Sequence, residues 1–332
     1  MNTLLGFLLF SFTINAALIV PFINLLYGLK FQRPGRKTVD IMGSVNLIFD
    51  KLHHKKAGTP VGGGLLIILT TTILFFLVNT TLRLVGADMT SVYPARAEMN
   101  IIFAAFILFG LLGLYDDVIK FFGSTEKNVG ITWKTKLIGQ LILGLGMGWY
   151  MYQVLGISII NLPSFGVINL GWFFVPFAAL VITGFSNAVN VTDGLDGLAG
   201  GVLLFTLIAL IIISVSILDT PISLFIALWL GGIIAFLYFN TYPARIILGD
   251  VGALSFGATL AVIGLLLGKI VAVFIIGGIF IQKVFKKKAP STFPLPSLAP
   301  IHRLGRTQGC HSCLAGWSCF GNLWTMAGIF VA

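Results

Sequence analysis

Five aspartates stand out by position. The chain has only 11 acidic residues among 332. Asp116 and Asp117 close one long apolar run, Asp193 and Asp196 precede another, and Asp250 opens a third. A carboxylate at the edge of a membrane span is costly unless it is hydrated, paired or metal-bound, which makes it a functional candidate. One such Asp could simply mark the membrane boundary. Five in three clusters on one expected side read as a site. Asp193 and Asp196 are three residues apart and share a face if they lie on a helical turn. Asn187 and Asn190 repeat that spacing and add amide donors and acceptors, and the neighbouring glycines permit close backbone approach to a ligand. In Gly249-Asp250-Val251-Gly252 a carboxylate sits beside the backbone N–H groups of a helix start. Those groups suit a phosphate, and the carboxylate suits a magnesium ion carried by it. Lys55 and Lys56 lead into Gly58-Thr59-Pro60-Val61-Gly62-Gly63-Gly64, a second setting suited to anionic phosphate, whereas His53 and His54 read as solvated loop residues. The chemistry expected is a magnesium-assisted, cytoplasm-facing site acting on a phosphorylated substrate at a membrane surface. With no Walker-type loop, ATP hydrolysis is not expected.

The elements that must position these residues are membrane spans. Hydrophobic residues make up 57% of the chain and charged residues 10%, against roughly 45–50% and about 25% in soluble domains. The mean hydropathy is +1.01, so the solvent for most of the chain is the lipid bilayer. The net charge of +10 resides in short loops between apolar runs. It therefore reads as topology and not as a nucleic-acid surface. The expectation is an all-α integral membrane protein, one polytopic domain over 1–332. About ten transmembrane helices start near Leu4, Val61, Asn100, Thr135, Gly171, Gly197, Ser223, Asp250, Ile270 and Leu314. The run from Leu4 to Leu29 is too long for a cleavable signal and reads as the first span. The odd-numbered loops hold 18 of the 21 basic residues, which places them in the cytoplasm and both termini outside. Cys310, Cys313 and Cys319 form no disulfide framework and no four-ligand zinc set.

Asn187 through Gly201 reads NAVNVTDGLDGLAGG. Together with the Asp116–Asp117 pair and FNTYPARIILGDVGAL, it resembles the polyprenyl-phosphate N-acetylhexosamine-1-phosphate transferases in order and spacing, over about residues 1–288. His53-x-x-Lys56-x-Gly-Thr-Pro is closest to the muramoyl-pentapeptide branch of that family. The resemblance implies ten transmembrane helices in a bacterial plasma membrane, an active site facing the cytoplasm, and Mg2+ as cofactor. It implies transfer of phospho-MurNAc-pentapeptide from UDP-MurNAc-pentapeptide to undecaprenyl phosphate, giving lipid I and UMP for peptidoglycan. By matching motif, Asp116 would deprotonate the lipid phosphate and Asp250 would hold the metal, while Asp117, Asn190 and Asp193 would organise the site. Lys56, Leu195, Asp196 and Asn240 would hold the nucleotide, with Asn187 and His302 as further substrate contacts. A second copy of the chain stays open as a partner.

The sequence also departs from the pattern. Val61-Gly62 replaces a Thr-Met pair, and Ile247 stands where an aromatic residue commonly packs on uracil. His302 alone remains of a Pro-x-His-His-His-x-Glu loop. The residues after Lys288 carry no acid and all three cysteines, which points to a divergent or frameshifted tail that impairs catalysis. Two rival readings are transfer of GlcNAc-1-phosphate to a polyprenyl phosphate and secondary transport. The first is disfavoured by Lys56 with Gly-Thr-Pro. The second calls for repeat symmetry and midplane charges, and neither is seen.

Overall fold

In the computed structural model the described residues are 2–32, 58–86, 90–122, 130–162 and 166–269. They form a bundle of long helices: α1 (Asn2–Gly28), α2 (Gly63–Leu84), α3 (Ala95–Phe122), α4 (Trp133–Gln153), α5 (Phe174–Thr192), α6 (Leu198–Ser216), α7 (Thr220–Asn240) and α8 (Gly249–Leu266). Seven of these are long and apolar enough to cross a membrane. The exception is α4, which lies where the fourth span is expected. Lys134, Lys136 and Gln140 in its first half dilute its apolar character. The expected ninth and tenth spans fall outside the described residues. At Gly268, with φ 63, the chain leaves α8 just before Lys269.

Large apolar side chains are exposed along the outer faces of the bundle, including Leu69, Ile73, Phe76 and Leu77 on α2. A soluble surface would not tolerate so continuous a belt, and lipid favours it. The centre is α8, nearly all of whose residues are buried. Phe106 of α3, Phe225 and Trp229 of α7, and Phe256 of α8 stack beside it with ring centroids 5.1–5.9 Å apart. In lipid, apolar burial cannot by itself draw helices together, so small residues and interhelical hydrogen bonds do more of the work. Ser11 Oγ donates to the Leu228 carbonyl at 2.6 Å and Thr70 Oγ1 to Asn15 Oδ1 at 2.8 Å, joining α1 to α7 and α2. Ser186 Oγ reaches the Leu254 carbonyl at 3.1 Å and Ser255 Oγ the Phe106 carbonyl at 2.5 Å, tying α5 and α3 to α8.

One element contradicts the all-helical expectation. Between α4 and α5 the chain makes an antiparallel hairpin, β1 (Ile159–Leu162) with β2 (Gly166–Asn169), pairing Ile159 with Asn169. It is short, exposed and at the end of the bundle away from the aspartates. Its strands pair with each other and need no larger sheet.

Candidate active site

The third and eighth helices bring the aspartates together. At Gly113, one turn before Asp116, a Cβ would lie 2.2 Å from the Asp250 carbonyl oxygen. Only a glycine lets α3 press against the start of α8 there. Gly249 has φ 80, and a Cβ on it would lie 2.9 Å from Asp117 Oδ2. That glycine turns the chain into α8 directly over the Asp117 carboxylate.

Two lysines then bridge the carboxylates. Lys120 Nζ lies 2.9 Å from Asp116 Oδ2 and 2.7 Å from Asp250 Oδ2. Lys136 Nζ, arriving from α4, lies 3.0 Å from Asp116 Oδ2 and also pairs with Asp250 Oδ2. The Ile131 N–H donates to Asp116 Oδ1 at 2.8 Å. The amide orientation that satisfies both neighbours of Asn190 has Nδ2 donating to Asp250 Oδ1 at 3.1 Å and Oδ1 accepting from Lys136 Nζ at 3.0 Å. An open cleft of about 870 Å³ lies over this cluster, lined by Asp116, Lys120, Lys136, Asn187, Asn190 and Asp250 with the 130–133 turn. Asp117 lies beneath it, 2% exposed, accepting from the Val251 N–H at 3.1 Å.

The remaining residues expected in the site divide into three groups. Asn187 and Asn190 line the cleft. Asp193, Asp196 and Asn240 brace the α7–α8 connection. Asp193 Oδ2 accepts from the Gly249 N–H and Asp196 Oδ2 from the Ala244 N–H, both at 3.3 Å. Asn240 Oδ1 accepts from the Gly197 N–H at 3.0 Å, and its Nδ2 donates to the Ile246 carbonyl at 2.9 Å. Asp193 and Asp196 do not share a helical face, because α5 ends at Thr192 and α6 begins only at Leu198. Leu195 is 40% exposed in that turn. Lys56 and His302 lie outside the described residues, as do His53, His54 and the three cysteines.

One expectation about backbone phosphate sites is overturned, at Gly62–Gly64, and the other is narrowed, at Gly249–Gly252. The N–H groups of Gly62 and Gly63 donate to the Ile247 carbonyl, at 3.1 and 2.9 Å, and that of Gly64 to Leu248 at 2.9 Å. Among those at the start of α8, the Gly249 and Val251 N–H groups go to Asp193 and Asp117. The Gly62–Gly64 amides thus tie the start of α2 to the residues leading into α8, and the Gly249 and Val251 amides tie the start of α8 to the ends of α5 and α3, so none of these five is free for a ligand. Ile247, 7% exposed and paired through its backbone to Pro60, Gly62 and Gly63, is a joint between these loops, not an open stacking platform.

Lys120 and Lys136 are the functional candidates that the sequence reading passed over, since a lysine at a span end also fits the positive-inside rule. A signal was present. Lys120 sits four residues after Asp116, the spacing of a helical ion pair. Asp116 and Asp250, the two carboxylates that line the cleft, offer oxygen donors of the kind that suit a hard cation. Among the described residues no three acidic, His or Cys side chains could hold an ion by themselves. Magnesium is typically held by one or two carboxylates together with substrate phosphates.

Comparison with known proteins shows the family. The profile of glycosyl transferase family 4 matches residues 99–268, the stretch from within α3 to just past the end of α8. The chain is 31% identical over 328 residues to the phospho-N-acetylmuramoyl-pentapeptide-transferase of Halalkalibacterium halodurans, covering 96% of this chain and 91% of that one. It is 33% identical over 290 residues to the enzyme of that name from Listeria monocytogenes, covering 84% and 83%. With the one from Clostridium perfringens it shares 34% over 318 residues, covering 93% and 87%. The chain belongs to glycosyl transferase family 4, among the phospho-N-acetylmuramoyl-pentapeptide-transferases.

Proposed function

We propose that this protein transfers phospho-MurNAc-pentapeptide from UDP-MurNAc-pentapeptide to undecaprenyl phosphate, giving lipid I and UMP. The observation that carries the reading is the pair of ammonium groups, Lys120 and Lys136, each bridging Asp116 and Asp250 under an open cleft at the helix ends. Phosphoryl transfer asks mainly for positioning and for neutralisation of phosphate charge. This cluster offers cations that can turn to phosphate and carboxylates that can hold a metal. An oxygen of the lipid phosphate attacks the phosphorus bonded to the sugar, the phosphorus–oxygen bond to UMP breaks, and UMP leaves with that oxygen. Asp116 is the group to take the proton of the lipid phosphate. Its oxygens are engaged by Lys120, Lys136 and the Ile131 N–H. Substrate diphosphate that draws the two ammonium groups to itself therefore frees Asp116 for that proton. Asp250, with Asp117 beneath, would hold Mg2+, which when bound supplies charge neutralisation and in-line orientation. Asn190 keeps Asp250 and Lys136 in register.

The cleft opens at the end of α3 that leads to the basic loops, which supports a cytoplasmic active site in a bacterial plasma membrane. A soluble nucleotide-linked donor and a lipid-anchored acceptor meet there. The test is product analysis by mass spectrometry with purified protein, undecaprenyl phosphate and Mg2+. Lipid I and UMP in equal amounts from UDP-MurNAc-pentapeptide, and no product from UDP-GlcNAc, is the expected result. Product from UDP-GlcNAc alone would assign the sister reaction instead.

A further inference from the structure

We infer that Gln140 is a positioning residue that fixes Asn187 as a hydrogen-bond acceptor in the cleft, where it receives an N–H or O–H of the donor's sugar. The inference rests on the transferase reading above and assigns part of the donor site.

Gln140 lies on α4 one turn beyond Lys136 and is fully buried. Asn187 lies on α5 and lines the cleft. A carboxamide nitrogen carries two protons. Both protons of Asn187 Nδ2 are spent: one goes to the Thr183 carbonyl at 2.9 Å and the other to Gln140 Oε1 at 2.6 Å. Turning the Asn187 amide over would set its oxygen against those two oxygens. Its orientation is therefore fixed, and Oδ1 remains as the polar atom without a hydrogen bond among the described residues. The orientation of Gln140 follows from the same logic, since turning it would oppose two donors. The consequence is visible in the structure, where Gln140 Nε2 is buried with no hydrogen-bond partner. A side chain that served packing alone would gain by being Leu or Met at this site, because burying an unpartnered donor is unfavourable. The orphaned Nε2 is the consequence of using Oε1 to hold Asn187.

An acceptor facing the cleft cannot bond the bare oxygens of a diphosphate, which are themselves acceptors. The cations Lys120 and Lys136 are the groups for those. Asn187 stands one helical turn from Asn190, which touches both Lys136 and Asp250. The donor group next to the phosphate being transferred is the hexosamine, with its hydroxyl and amide protons.

The experiment is steady-state kinetics on the full chain in nanodiscs, varying UDP-MurNAc-pentapeptide and undecaprenyl phosphate separately. Gln140→Leu should raise KM for the UDP-sugar about tenfold, one lost hydrogen bond's worth, and leave KM for the lipid phosphate within about twofold. Gln140→Glu keeps an acceptor for Asn187 Nδ2 and should recover most of the loss. Adding Gln140→Leu to Asn187→Ala should cost no more than about a further twofold, since Gln140 acts through Asn187. Gln140→Met replaces Gln140→Leu in the same comparison if the latter does not fold. Unchanged kinetics in Gln140→Leu, an equal rise in both KM values, or additive losses in the double variant would overturn the inference. Failure of the wild-type chain to release UMP would instead refute the transferase reading beneath it.

Discussion

Both ends of α3 bury acid, and they do so in opposite ways. At the cleft end Asp116 and Asp117 are each 2% exposed, and Asp116 is matched by two lysine ammonium groups shared with Asp250. At the other end Glu98 is fully buried beside Asp219 and Ser91, with no lysine or arginine paired to it among the described residues. Its neighbour Asp219 is a second acid, which also serves the backbone. Asp219 caps α7 by accepting from the Ile222 N–H at 3.2 Å, and it also accepts from the Val92 N–H at 3.4 Å. The lesson is that burial of a carboxylate does not by itself mark a reaction site. Lysine ammonium groups beside it and an open volume above it do, because those can be redirected to a substrate.

The comparison breaks if turnover needs neither a divalent metal nor the lysine cations of the cleft. The largest effect is expected from metal removal: excess chelator should abolish lipid I formation, and restored Mg2+ should return it. Full turnover in chelator would contradict the role given to Asp250. Next is Lys136→Met, which removes an ammonium shared by Asp116 and Asp250. A charge-assisted hydrogen bond is worth about 1.5–3 kcal/mol, so turnover should fall roughly ten- to a hundredfold. Lys120→Met should fall less, because its side chain is 33% exposed against 13% for Lys136 and water screens it more. Gly113→Ala should cost about 1–3 kcal/mol of stability through overpacking against the Asp250 carbonyl. Both the melting temperature and turnover should drop, and retention of both would show that the α3–α8 contact does not set the site. The smallest effect belongs to the far end. Asp219→Ala loses a helix cap worth about 1 kcal/mol, seen as a lower melting temperature with turnover within about twofold of wild type.

Much of this site was legible in the sequence. Asp116, Asp117 and Asp250 gather as their positions at span ends implied, and the eight long helices among the described residues begin close to the expected residues. The partners of those aspartates were less visible. Lys136 is 114 residues from Asp250, and nothing local distinguishes it from a lysine that sets topology. The glycine-rich turns at Gly62–Gly64 and Gly249–Gly252 read as phosphate loops, because free amides at a helix start look the same in sequence whether a ligand or another loop takes them. Here the amides at the start of α2 go to the Ile247 and Leu248 carbonyls, and those of Gly249 and Val251 go to the Asp193 and Asp117 carboxylates. Asp193 and Asp196 were read on a helical face, but the glycines around them end α5 and turn the chain, so both brace a loop instead. The β1–β2 hairpin carries too few residues for its alternation to register beside runs of twenty apolar ones.

The central claim is that chemistry belongs to the cation-matched carboxylates and not to the buried acid at the opposite end of α3. The most direct measurement compares Asp250→Asn with Glu98→Gln, both purified, shown folded by thermal melting, and assayed for lipid I and UMP under saturating substrates and Mg2+. Asn keeps the shape of Asp250 but loses the charge that holds a hard cation. The account predicts that Asp250→Asn loses about a thousandfold or more in turnover, the scale of a lost electrostatic stabiliser in an active site, while Glu98→Gln stays within about twofold of wild type. Comparable turnover by Asp250→Asn, or a loss in Glu98→Gln as large as that in Asp250→Asn, would contradict it.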